Sequence, residues 1–197
     1  MQTFRRSRRR NWRPQIRSPI QRIEQGEGGE RALQDWLDRS RLAYLFLDQT
    51  PLTMPATHRA DLKRPDFLVA IDGLGTVAVD AKVKAFIGGH FVLDLSERRR
   101  LDGFETEFGM PVWYACFPPA EPRSAYLFRN RDLMGAAVIH DPAKAIILAP
   151  VALGFAVEPA SASFAAAMLR ADAPRAALKA LDPFLAGRRP AGGPSRR

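Results

Sequence analysis

The chain has 197 residues, enough for one compact core, and 46% of them are hydrophobic, which argues against a disordered polymer. Its single cysteine, Cys116, excludes a disulfide framework and a CxxC metal site, and its apolar surroundings read as those of a buried core thiol. The net charge of +9 is uneven: residues 1–22 carry +8, residues 170–197 carry +5, and the stretch between them carries −4. Two basic arms around a mildly acidic core suit a polyanionic partner, because bound arginines release its condensed counterions.

Residues 1–22 hold Pro14 and Pro19, lack apolar periodicity and read as a flexible basic arm. The start, Met1–Arg6, has no apolar signal region. Gly26, Gly28 and Gly29 lead into a helix expected over Glu30 to about Leu42, with Leu33, Trp36 and Leu37 at helical spacing. Leu42–Leu47 reads as a short strand, and residues 48–63 as a polar loop. Two strands follow, Asp66–Ile71 and Thr76–Lys84, joined by the turn signal Asp72-Gly73-Leu74-Gly75, so the pair predicts an antiparallel hairpin.

A Gly88-Gly89 loop comes next. Ser96 then reads as the N-cap of a helix running to Phe108, with Leu101, Phe104 and Phe108 as its apolar stripe and Gly109 and Pro111 as its stop. Pro111–Phe117 and Ser124–Phe128 are expected strands, and the region of Asp132 is expected to start a short helix. Residues 143–158 read as a further strand or as irregular chain. The longest apolar stretch, about Ala145 to Val157, is interrupted by Pro150 and falls short of the ~20 residues of a membrane span. Ala-rich helices are expected near 161–171 and 174–186. The expected organisation is an arm at 1–22, a core at 23–158, C-terminal helices at 159–186 and a disordered basic tail at 187–197. A soluble, cytoplasmic protein with no membrane partner is the expectation.

Alternate strand residues share a face. Val77, Val79, Ala81 and Val83 make an apolar face, while Thr76, Ala78, Asp80, Lys82 and Lys84 make the other. Asp80 and Lys82 then stand roughly 7 Å apart on one face. In a hairpin closed at 72–75, the start of the first strand lies beside the end of the second, which brings Asp66 to Asp80 and Lys82. Two carboxylates meeting at one point repel and call for a cation, and Mg²⁺ prefers oxygen ligands. Glu30, in helical phase with Leu33 and Leu37, is a third candidate acid.

These segments resemble the PD-(D/E)XK nuclease superfamily. Gly29-Glu30-Arg31-Ala32-Leu33 resembles its first-helix motif, Arg64-Pro65-Asp66-Phe67-Leu68-Val69 its Pro-Asp motif, and Val79-Asp80-Ala81-Lys82 its Asp/Glu-x-Lys motif. The segment Phe108-Gly109-Met110-Pro111-Val112-Trp113, with Tyr126-Leu127-Phe128 after it, is similar to archaeal-type Holliday junction resolvases and other small members. No Gln-x-x-x-Tyr pattern follows Lys82, unlike the RecB-like exonuclease subtype. The resemblance spans about Gly29 to Phe128. It implies an α/β fold of restriction-endonuclease type: a mixed central sheet flanked by helices, extended by Ala-rich C-terminal helices. It further implies an Mg²⁺- or Mn²⁺-dependent DNA endonuclease, with roles in DNA repair, recombination or mobile-element defence as its range. Asp66, Asp80 and the Ala81 carbonyl would hold the metal, with Glu30 acting directly or through water. Lys82 would position the attacking water and stabilise developing charge. The implied partner is DNA, branched forms and RNA included, and a homodimer is compatible with the family.

Candidate phosphate contacts are Lys84, Arg98 and Arg99, together with Arg5, Arg6, Arg8, Arg9, Arg10 and Arg13 of the arm. His58, His90 and His140 form no zinc spacing. The competing reading is a non-catalytic nucleic-acid-binding module on the same fold; a basic structural protein tied to RNA is a third.

Overall fold

The computed structural model describes residues 19–50, 54–58, 60–119, 123–140 and 144–173. Helix α1 spans Pro19–Arg39 and is followed by strand β1, Tyr44–Phe46. The hairpin β2 (Phe67–Ile71) and β3 (Gly75–Val83) comes next, then a small hairpin of β4 (Phe86–Ile87) and β5 (His90–Asp94). Helix α2 is Leu95–Phe108. The remaining strands are β6 (Val112–Phe117), β7 (Ala125–Arg129), β8 (Ala137–His140), β9 (Ala145–Pro150) and β10 (Phe155–Val157). A last helix, α3, runs over 164–173.

Six strands form a mixed sheet in the order β1-β2-β3-β6-β7-β10, in which only β3 and β6 are parallel. Parallel neighbours need a crossover, and β4, β5 and α2 supply it. One face of the sheet buries Val77, Val79 and Ala81 against Leu33, Trp36 and Leu37 of α1 and Phe164 and Met168 of α3. The other face buries Ala78, Tyr114 and Cys116 against Leu101 and Phe104 of α2 and Phe91 of the second sheet. That second sheet is antiparallel, ordered β4-β5-β9-β8. The architecture is the expected α/β class, a mixed central sheet flanked by helices.

The β2–β3 hairpin has the expected turn, with Gly73 and Gly75 at φ 81° and 86°. Several expectations need correction. Helix α1 begins at Pro19, within the stretch expected to be a flexible arm; proline suits a first helical turn, whose N–H groups have no intrahelical acceptor. Gly26, Gly28 and Gly29 therefore lie inside α1 rather than before it. Gly29 packs closely on β3: a Cβ there would meet the Val83 backbone nitrogen at 3.3 Å. The cap of α2 is Asp94, not Ser96, since its carboxylate accepts from the amides of Ser96 and Glu97 at 2.7 and 3.2 Å. Phe108 is 57% exposed and leaves the core stripe, although its ring stacks on Phe104. Gly88-Gly89 is the tight turn of the β4–β5 hairpin rather than a plain loop. The helix expected over 174–186 and the tail at 187–197 lie outside the described residues. Among the described residues, no helix is long and apolar enough to cross a membrane.

Candidate functional site

Strand register brings the two carboxylates together. Phe67 pairs with Val79, so the next step of the same antiparallel register sets Asp66 opposite Asp80. Directly opposed residues share a sheet face, and both side chains are buried. The Ala81 amide donates to Asp66 Oδ2 at 2.8 Å, which fixes the Asp66 carboxylate against β3.

Asp80 is fully buried and carries two ammonium partners. Lys82 Nζ stands 2.6 Å from Asp80 Oδ2, and Lys63 Nζ contacts Asp80 Oδ1. Both ammoniums also reach Glu97 Oε1, Lys63 at 2.8 Å and Lys82 at 3.0 Å. The centre is therefore an alternating ring of two acids and two lysines. Its protein framework is well fastened. The Lys63 amide donates to the Arg100 carbonyl at 3.1 Å, and the Arg100 guanidinium donates back to the Leu62 carbonyl at 3.2 and 3.0 Å. Glu97 sits in the first turn of α2, a favourable end for negative charge.

Electrostatics follow from burial and neighbours. Burial, reinforced by the Asp80 charge, pushes the Asp66 carboxyl up to about 7, although Lys82, Lys63 and the Ala81 amide oppose the rise. Burial also works to lower the Lys82 ammonium, yet Asp80 and Glu97 hold it well above the ordinary lysine range. Burial works to raise Glu97, but Lys82 and Lys63 hold it below the ordinary carboxylate range. Lys84 is lowered, first by burial. Glu30 is raised, first by its partial burial and then by Asp80.

The sequence candidates divide accordingly. Asp66, Asp80, Ala81 and Lys82 come together, and Lys84 lies in the same field. Glu30 is half-buried on α1 and feels both Lys82 and Asp80. It does not close a three-acid cluster, however: among the described residues no three His, Cys, Asp or Glu side chains converge closely enough to hold a metal. Arg98 is buried, 8% exposed, so it does not lie on a solvated face, and its Nη1 has no hydrogen-bond partner among the described residues. Helical phase explains this, since Arg98 falls in line with buried Leu101 and Glu105. Arg99 is exposed. Arg5, Arg6, Arg8, Arg9, Arg10 and Arg13 lie outside the described residues. Sequence reasoning misses Lys63 and Glu97. Lys63 lies three residues before Asp66, and Glu97 follows the Asp94 cap; neither position is marked by a motif.

The donor set fits a hard divalent cation in kind. Asp66 and Asp80 are buried oxygen donors whose mutual repulsion a cation relieves, and ammonium groups meet that need in this structure.

No protein-family model matches the chain, and no curated protein matches it in sequence. In structure the chain is similar to Hjc, a Holliday junction resolvase from the archaeal hyperthermophile Archaeoglobus fulgidus. The identity is 20% and the TM-score 0.45, over 66% of this chain and 93% of that one. At that distance the likeness says nothing of activity, and the reading of the site rests on its own residues.

Proposed function

We propose that the chain is a metal-dependent nuclease that hydrolyses DNA phosphodiester bonds with Mg²⁺ or Mn²⁺. The observation that carries this reading is the buried Asp66–Asp80 pair with the Lys82 ammonium on Asp80. Asp66 and Asp80 would hold the metal, with the Ala81 carbonyl as a further oxygen donor and Glu30 acting through water. When bound, the metal would polarise the scissile phosphate and lower the pKa of its water.

The side chains have separable roles. Lys82 stays protonated, because Asp80 and Glu97 raise it. It therefore serves as a charged donor to the developing phosphorane oxygens and not as a base. Asp66 would act as a metal ligand, its carboxylate held against β3 by the Ala81 amide at 2.8 Å. Lys84 would meet a flanking phosphate. The basic arm supplies affinity that the acidic core does not.

The test is cleavage of plasmid, branched and single-stranded DNA with Mg²⁺ or Mn²⁺. Asp80→Ala is expected to abolish cutting and Lys82→Ala to lower it by about two to three orders of magnitude, and parent-like cutting by either refutes the assignment. A non-catalytic nucleic-acid-binding module is the second reading. It is favoured by the ammonium contacts on both Asp80 oxygens. That reading predicts DNA binding in EDTA and no cleavage with any divalent ion.

A further inference from the structure

Lys63 and Glu97 belong to no motif, yet they meet at the most deeply buried acid of the site. The Lys63 ammonium bridges Asp80 Oδ1 and Glu97 Oε1, the second at 2.8 Å. A positive centre shared by carboxylates from β3 and α2 occupies the place a metal ion takes between two acidic ligands. Lys82 is built into β3 beside Asp80. Lys63 instead comes from the segment before β2, and its side chain and that of Glu97 form the partly exposed rim of the cluster.

A second observation points to the same place. The Tyr114 hydroxyl is fully buried and has no hydrogen-bond partner among the described residues. Tyr114 pairs with Asp80 in the parallel β3–β6 register, so both side chains share one sheet face. It also lies in the field of Asp80 and Glu97. Burying an unpaired hydroxyl is unfavourable, and a cation-bound water beside Asp80 would relieve it.

We propose that Asp80 and Glu97 form a divalent-cation site and that the Lys63 ammonium holds the cation's place in it. This rests on the reading of Asp80 as a metal ligand, and it adds Glu97, which that reading does not contain. Carboxylate oxygens select Mg²⁺ or Mn²⁺. On binding, the ion displaces Lys63, whose side chain turns outward through the rim.

The test is calorimetric titration of the full chain with Mn²⁺ at fixed pH and ionic strength, with a melting curve for each variant. Glu97→Gln is expected to weaken Mn²⁺ binding by about tenfold or more, the scale of losing a supporting group at a metal. Lys63→Met is expected to tighten it by a similar factor, because the competitor is gone. Opposite signs do not arise from a shared folding defect. Parent-like affinity in Glu97→Gln, or no tightening in Lys63→Met, overturns the proposal. Asp66→Asn separates the two readings: if it alone loses Mn²⁺, the Asp66–Asp80 reading stands and this one fails. If neither the parent nor Lys63→Met binds Mn²⁺, both fail.

Discussion

The Asp66 carboxylate accepts a 2.8 Å hydrogen bond from the Ala81 amide, which ties the Pro-Asp segment to the Asp-x-Lys strand through the backbone. Because the donor is an amide held within β3, Asp66 is positioned by the sheet itself. Its protonation is then a property of folding as well as of chemistry.

Asp66 makes stability fall as pH rises. Its carboxyl is pushed from an ordinary 3.8 up to about 7, so the folded state binds the proton more tightly than the unfolded one. Stability from this group is full below pH 4 and is lost as pH passes through 7, by up to about 1.4 kcal/mol per pH unit. Glu97, being lowered, acts oppositely: its contribution is present above an ordinary 4.5 and is lost in acid below that. Between pH 5 and 7 Asp66 therefore governs. Urea denaturation in EDTA is expected to show lower stability at pH 7 than at pH 5, and Asp66→Asn should flatten the profile. A flat parent profile contradicts the shift.

Lys82→Ala removes a cation from two acids at once. Breaking a buried pair by deleting one partner costs about 3–5 kcal/mol, and Lys63 remains to offset part of that loss. Cleavage is expected to drop by about two to three orders of magnitude, the scale of losing one charge-stabilising donor. Lys82→Arg keeps the charge but not the compact ammonium. It is expected to recover most of the melting temperature and little of the rate. Recovery of both would make Lys82 merely a counter-ion.

Gly103 controls where Lys63 sits. A Cβ on Gly103 would meet the Asp61 carbonyl oxygen at 2.7 Å and Leu62 Cδ2 at 2.9 Å. Gly103→Ala must therefore push the 60–63 segment off α2, with an overpacking cost of about 1–3 kcal/mol. Gly28→Ala is the control, since nothing lies within 4 Å of its Cβ position. It is expected to stabilise helix α1 by up to about 1 kcal/mol. Denaturant midpoints of the two variants check both signs.

Deleting residues 1–18, and so stopping short of α1, removes seven arginines and no acid. DNA binding is expected to weaken and its salt dependence to flatten, by about 0.9 in log–log slope for each phosphate that the arm no longer neutralises. An unchanged slope reduces the arm to a solubilising tail.

The hairpin and its carboxylates are legible in the sequence because their signals are local. Turn glycines and strict alternation place Val77 and Val79 inward and Asp80 and Lys82 on the opposite face. Strands β4, β5 and β8 are not legible: β4 and β8 have only two and four residues, and all three pair within the second sheet rather than the main one. Arg98 misleads for a similar reason. Its run of three arginines looks uniformly polar, whereas helical phase buries the first and leaves the second exposed.

By itself, then, the amino-acid order determined which residues form the β2–β3 hairpin and which of its faces carries charge, since backbone alternation and turn chemistry act within a few residues. The tertiary structure alone decided that Lys63 and Glu97 complete the cluster and that Glu30 stays at its margin. Those placements depend on how α2 and the 60–63 segment cross the end of β3, and such a crossing is set by packing between chain segments more than thirty residues apart.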